Sequence, residues 1–98
     1  MGISVTVQDR MHRQLEGYVN TDGSTLSRMV QAAPEGSMLG EIHAYADTMF
    51  NSYQLRFFID ELSAMNPPLE DERRVVETLL VAAEDAMRAL GYLWFTGD

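Results

Sequence analysis

Two consecutive prolines, Pro67 and Pro68, interrupt the C-terminal half of this chain, and no regular helix runs through them. Before them, Leu55, Phe58, Ile59, Leu62 and Met65 recur at helical spacing and form one apolar stripe, with Asn51 or Ser52 placed to cap its start. After them, Asn66 is the expected N-cap and Pro67 occupies the tolerated first turn. Glu70, Asp71 and Glu72 then set negative charge against the positive end of the helix dipole. The stripe continues through Val76, Leu79, Leu80, Ala83, Met87 and Leu90, and Gly91 is the residue expected to end the helix in a left-handed conformation. Two amphipathic helices in succession need an apolar surface to cover, and the rest of the chain has to supply it.

The N-terminal and C-terminal segments read as that surface. Ile3, Val5 and Val7 alternate with Ser4, Thr6 and Gln8, the period of a half-buried strand. The final segment, Tyr92 to Thr96, is apolar on both alternating faces, which fits a strand in the interior of a sheet. After Gln8, the polar stretch from Asp9 to Arg13 reads as a loop. Leu15, Gly17 and Val19 then alternate with Glu16, Tyr18 and Asn20 as the returning arm of a hairpin. A continuous helix over Asp9–Val19, using Met11, Leu15 and Tyr18, is the competing reading, and Gly17 with β-branched Val19 favours the hairpin.

Asn20-Thr21-Asp22-Gly23 forms a turn, and Leu26, Met29, Val30 and Ala33 mark a short helix capped by Asp22 or Ser24 and ended by Pro34. A second turn at Glu35-Gly36-Ser37 leads into Met38–Ala46, where alternation predicts a third strand. A helical stripe through Leu39, Ile42, Ala46 and Met49 is the alternative there. The expected fold is therefore a single α+β domain over residues 1–98, with a small antiparallel or mixed sheet of about four strands and about three helices packed on one face.

Charge restricts function next. The chain has 98 residues and a net charge of −8, a field that repels phosphate backbones and anionic lipid, so direct nucleic-acid and membrane binding are disfavoured. A chain of this length buries only about two-thirds of its unfolded surface, so its large apolar residues are needed for the core and few remain to line a cavity. All seven basic residues are arginine, which reflects either recognition chemistry or a GC-rich genome, and the genome is the favoured reading. There is no cysteine, hence no disulfide, thiolate metal site or thiol nucleophile. With no export signal and no apolar run approaching the roughly 20 residues of a membrane span, the expectation is a soluble cytoplasmic protein.

Two segments, Asp47-Thr48-Met49-Phe50-Asn51 and Tyr92-Leu93-Trp94-Phe95-Thr96-Gly97-Asp98, carry a resemblance. With its Asp-Thr-x-Phe-Asn stretch and its Tyr-Leu-x-Phe-x-Gly-Asp terminus, the chain resembles a group of small acidic bacterial proteins without an assigned activity. The resemblance implies a hairpin, a short helix, a strand, two helices and a final strand, and it brings no catalytic residue or cofactor with it.

Few residues point to chemistry. On a strand, Glu41, His43, Tyr45 and Asp47 share one face, and Glu41, His43 and Asp47 could ligate a divalent metal if Asp60 or Glu61 joined them. The bland reading is a polar strand edge with Asp47 and Thr48 capping the next helix. The Asp47–Asn51 segment reads first as a hinge seating Met49 and Phe50 in the core, and second as a binding loop presenting Asp47, Thr48 and Asn51. His12 and His43 lack a catalytic partner in the sequence. Ser24, Ser27, Ser37, Ser52 and Ser63 lie in cap, turn or helix contexts, without a nucleophile elbow or phosphate-binding glycine loop.

Two surface features remain. Glu70, Asp71, Glu72, Glu77, Glu84 and Asp85, partly offset by Arg73, Arg74 and Arg88, form either a solvated helix face or an acidic docking surface for a basic protein. Tyr92 and Trp94 share the side of the last strand opposite Leu93 and Phe95. They either form a partner or homodimer patch or are covered by Tyr18, Tyr45 or a loop. The leading expectation is a non-enzymatic interaction protein of inhibitor or immunity type, using those acids with Tyr92 and Trp94. A small metal-dependent protein and a structural homodimer subunit are the alternatives.

Overall fold

The last strand lies at the centre of the sheet. In the computed structural model, which describes residues 2–15 and 19–98, β1 (Ile3–Gln8), β2 (Asp47–Phe50) and β3 (Tyr92–Gly97) form a three-stranded antiparallel sheet in the order β1-β3-β2. Between them lie α1 (Gly23–Ala32), the single turn α2 (Met38–Glu41), α3 (Ser52–Ala64) and α4 (Glu70–Arg88). Val5 pairs with Phe95, Thr6 with Trp94 and Gln8 with Tyr92, while Met49 pairs with Trp94 and Phe50 with Leu93 from the other side. Side chains paired across strands share a face, so the sheet presents Ile3, Val5, Leu93, Phe95 and Phe50 to one side and Ser4, Thr6, Trp94 and Met49 to the other.

The first of these faces is buried and enters one core with Leu26, Met29 and Val30 of α1, Leu55, Phe58 and Leu62 of α3, and Val75, Val76 and Leu79 of α4. Three rings lock strands to helix: Phe50 lies 5.0 Å from Phe58 and 5.5 Å from Phe95, and Phe58 and Phe95 meet edge to face at 6.1 Å. Buried rings of this kind contribute about 2 kcal/mol each through area removed from water, with further gain from their tilted geometry.

The Met38–Ala46 strand expectation is corrected. Met38–Glu41 is a helical turn because its N–H groups find oxygen acceptors: Ser37 Oγ accepts from Gly40, and the two carboxylate oxygens of Glu61 on α3 accept from Met38 and Leu39, each at 2.9 Å. Leu39 and Ile42, three residues apart, both turn into the core, the spacing of the helical alternative, while Ala46 and Met49 do not. The strand forms later, at Asp47–Phe50.

After β1, the Asp9–Arg13 loop forms as expected and no helix runs through Asp9–Leu15. The return is an irregular partner of β1: Gln14 bridges Gln8, Leu15 N–H donates to Val7 and Val19 N–H to Val5. Glu16, Gly17 and Tyr18, the middle of the expected second strand, lie outside the described residues. Helix α4 also differs from expectation. It begins at Glu70 with Leu69 rather than Asn66 at the cap position, because Pro68 forces Pro67 out of the helical region and delays the first turn. Its buried stripe is Val75, Val76, Leu79, Ala82, Ala83 and Ala86, leaving Leu80 and Met87 half-buried and Leu90 exposed. The alanines allow close approach where the helix meets sheet and neighbouring helices.

Candidate functional site

The end of the sheet where β1 finishes and β3 begins gathers three connections. The first is the Asp9–Arg13 loop. Asp9 organises it: one carboxylate oxygen accepts from the N–H groups of Met11 and Arg13 at 2.9 and 3.0 Å, and the other accepts from the Arg13 guanidinium at 3.0 Å. These contacts, led by the Arg13 N–H, hold the Asp9 carboxyl below the usual carboxylate range. The loop also closes through backbone bonds from Asp9 N–H to Arg13 and from His12 N–H to Asp9. Its geometry places His12 at a positive φ of 64° and lays its ring on Tyr92, centroids 4.0 Å apart, and edge-on to Trp94 at 6.3 Å.

The second connection is the turn from α4 into β3. Gly91 N–H reaches the Ala86 carbonyl at 2.9 Å and Leu90 N–H reaches that of Met87 at 3.0 Å, a Schellman termination. Its left-handed residue is Leu90, with φ of 53°, and not Gly91 as expected. Gly91 is required for another reason: a Cβ there would lie 1.9 Å from the Gln8 carbonyl oxygen. Among the described residues, His12 and Leu90 are the non-glycine positions with positive φ, and β1 and β3 bring both to this end.

The third connection is the entry to α3. Asn51 accepts from Gln54 N–H, and Gln54 Oε1 accepts from Asn51 N–H, each at 2.9 Å, forming a capping box. Tyr53 and Phe57 fall off the buried Leu55-Phe58-Leu62 stripe and pack against each other at 5.3 Å. Tyr53, Arg56, Met87 and Leu90 line a shallow depression of about 280 Å³ between α3 and the end of α4. Met11, Leu90, Tyr53 and Phe57 are 70%, 60%, 66% and 52% exposed, so this end carries a concentration of apolar surface in contact with water.

The structure separates most of the residues expected to work together. Glu41 ends α2, His43 lies in the following loop and Asp47 opens β2, so the shared strand face behind the metal reading does not exist. His43 Nδ1 accepts from Tyr45 N–H at 3.1 Å, and among the described residues no three histidines or carboxylates form a group suited to a metal ion. Thr48 does not cap α3; its hydroxyl accepts from His43 N–H at 2.8 Å and closes the turn before β2. Glu61 is engaged at the start of α2, while Asp60 is exposed on α3.

The acids of α4 are largely matched by arginine. Arg28 of α1 bridges Asp71 at 3.1 Å and Glu72 at 3.2 Å, Arg74 pairs with Glu70 at 3.1 Å and Arg88 with Asp85. The Arg28 guanidinium holds the Asp71 carboxyl below its ordinary range. Glu77 and Glu84 remain exposed on the helix. Tyr92 and Trp94 do share the sheet face opposite the core, and His12 covers part of it, so a loop supplies the cover. Tyr18 lies outside the described residues, and Tyr45 is exposed with its ring against His43.

Other surface depressions are open and mixed or polar in lining. One of about 560 Å³ is lined by Asp22, Asp71, Arg74 and Glu77, but Asp22 caps α1 and Asp71 holds Arg28. Among the described residues no helix is long and apolar enough to cross a membrane. No known protein family, curated protein or solved structure matches this chain.

Proposed function

We propose that this chain is a protein-interaction module that acts by stoichiometric binding, with the Leu90–Tyr53 end of the sheet as its docking face. One observation carries the reading: Leu90, an exposed leucine that lines the depression with Tyr53 and Met87, holds a left-handed backbone position that glycine fills at lower cost. A side chain kept in a costly conformation and turned to water adds nothing to the core, so its benefit lies in contact with something else. The second positive-φ residue, His12, belongs to the neighbouring loop and supports the same end. A basic partner on α4 has less to engage, since Arg28, Arg74 and Arg88 already hold Asp71, Glu72, Glu70 and Asp85.

The test is affinity capture from native lysate with three versions of the full chain: wild type, Tyr53→Ser with Phe57→Ser, and Val81→Ser as a control on the outward face of α4. The expected result is one partner in fixed stoichiometry with wild type and Val81→Ser, and loss of that partner with the double variant. Equal capture by all three, or no stoichiometric partner, overturns the reading.

A further inference from the structure

We infer that the docking face receives a partner segment carrying carboxylates beside large apolar side chains, with Arg10 and Arg56 as the carboxylate receptors. The inference rests on the proposed docking role of this end of the sheet and adds the chemistry of its occupant. Its basis is the distribution of arginine in an acidic protein. Arg13, Arg28, Arg74 and Arg88 pair with carboxylates and Arg73 donates to the Pro67 and Pro68 carbonyls. Arg10 and Arg56, both exposed, make no hydrogen bond or ion pair among the described residues.

Both uncommitted cations belong to the same end as the exposed apolar residues. Arg10 precedes Met11 in the loop against which Gly91 packs, and Arg56 lines the depression shared by Tyr53, Met87 and Leu90. Asp60, one turn along α3 from Arg56, makes no ion pair with it. The acid nearest Arg10 in the loop, Asp9, is already occupied by Arg13 and by backbone N–H groups. A chain of net charge −8 that leaves Arg56 without an acid in the depression, and Arg10 without one in the loop that follows β1 at the same end of the sheet, offers bidentate donors to carboxylates from outside.

The size and sign of the site narrow the occupant. A depression of about 280 Å³ lies just below the ~300–1,000 Å³ of small-molecule sites and suits an apolar side chain of a peptide. The overall negative field opposes a polyanion such as nucleic acid, whereas one or two carboxylates in direct contact are governed by the local arginines, because screening confines the wider field to about 8 Å at physiological salt.

The experiment selects from a library of randomised displayed peptides on the immobilised full chain and measures recovered peptides in solution. Expected are sequences with Asp or Glu near Leu, Phe or Trp. Their affinity should fall about tenfold with Arg10→Gln plus Arg56→Gln, fall with added salt, and be lost with Tyr53→Ser plus Phe57→Ser. Thermal unfolding of each variant verifies that it folds. Peptides that need Tyr53 and Phe57 but are indifferent to the arginines overturn the acidic chemistry and leave the docking face standing. Peptides indifferent to both sets, or no enrichment, overturn both. Basic consensus sequences, arginine-dependent binding of a single-stranded oligonucleotide, or a dimer in light scattering abolished by Tyr53→Ser plus Phe57→Ser each overturn the acidic-peptide assignment.

Discussion

The imidazole of His12 lies flat against the ring of Tyr92, 4.0 Å away with the planes 11° apart. This stack fixes the Asp9–Arg13 loop over the start of the central strand. Replacing His12 with alanine is expected to lower stability by about 1 kcal/mol and to shift the emission of Trp94, the single tryptophan, to the red as its edge contact with His12 is lost. Urea unfolding and fluorescence check both, and an unchanged spectrum and midpoint would mean that the stack holds nothing in place.

Glu61 ties α2 to α3 through the N–H groups of Met38 and Leu39. Glu61→Ala leaves both donors without that acceptor and is expected to cost about 2 kcal/mol in urea unfolding, with Glu61→Gln costing less because one acceptor oxygen remains. Asp60→Ala, its exposed neighbour, serves as the comparison. Equal stability of the two alanine variants contradicts the tie.

Low pH should weaken the α1–α4 contact. The Arg28 hydrogen bond lowers the folded pKa of Asp71, and backbone N–H groups lower those of Asp22 and Asp9. A carboxylate with a depressed folded pKa stabilises the fold above its unfolded value, near pH 4, and that contribution disappears as pH falls through the folded value. Asp71→Asn should therefore be less stable than wild type at pH 7, with the gap closing below about pH 4. A gap that is constant with pH would show that charge is not the source.

The elements most legible in the sequence were those whose periodicity coincides with burial. β1, the Leu55-Phe58-Leu62 stripe and interior β3 follow directly from the spacing of their apolar residues. Met38–Ala46 is ambiguous in sequence because alternation and helical spacing overlap there, and the deciding partner, Glu61, lies more than twenty residues away. Tyr92 and Trp94 could be placed on the outer face from alternation alone, but His12 as their cover could not. Of the proposed docking face, Tyr53 and Phe57 draw no expectation from the sequence, where their one signal is that they are apolar and fall off the Leu55-Phe58-Leu62 stripe. Helical spacing takes Leu90 into the stripe and glycine's tolerance of positive φ points to Gly91, whereas the left-handed residue is Leu90 and the constraint on Gly91 is the approach of Gln8.

Gly91→Ala tests that constraint. A methyl group 1.9 Å from the Gln8 carbonyl oxygen forces β1 and the α4–β3 turn apart, with an expected loss of about 2 kcal/mol or more in urea unfolding. An alanine variant as stable as wild type contradicts the close approach.

The central claim is that Leu90 serves binding at the expense of stability, and Leu90→Gly measures it most directly. Glycine accepts φ of 53° without the steric cost borne by leucine and removes an exposed apolar side chain. The variant should therefore unfold at higher urea concentration, gaining about 0.5–1 kcal/mol, while losing the stoichiometric partner in the capture assay. A Leu90→Gly chain that is less stable than wild type, or that retains its partner in full, contradicts the account.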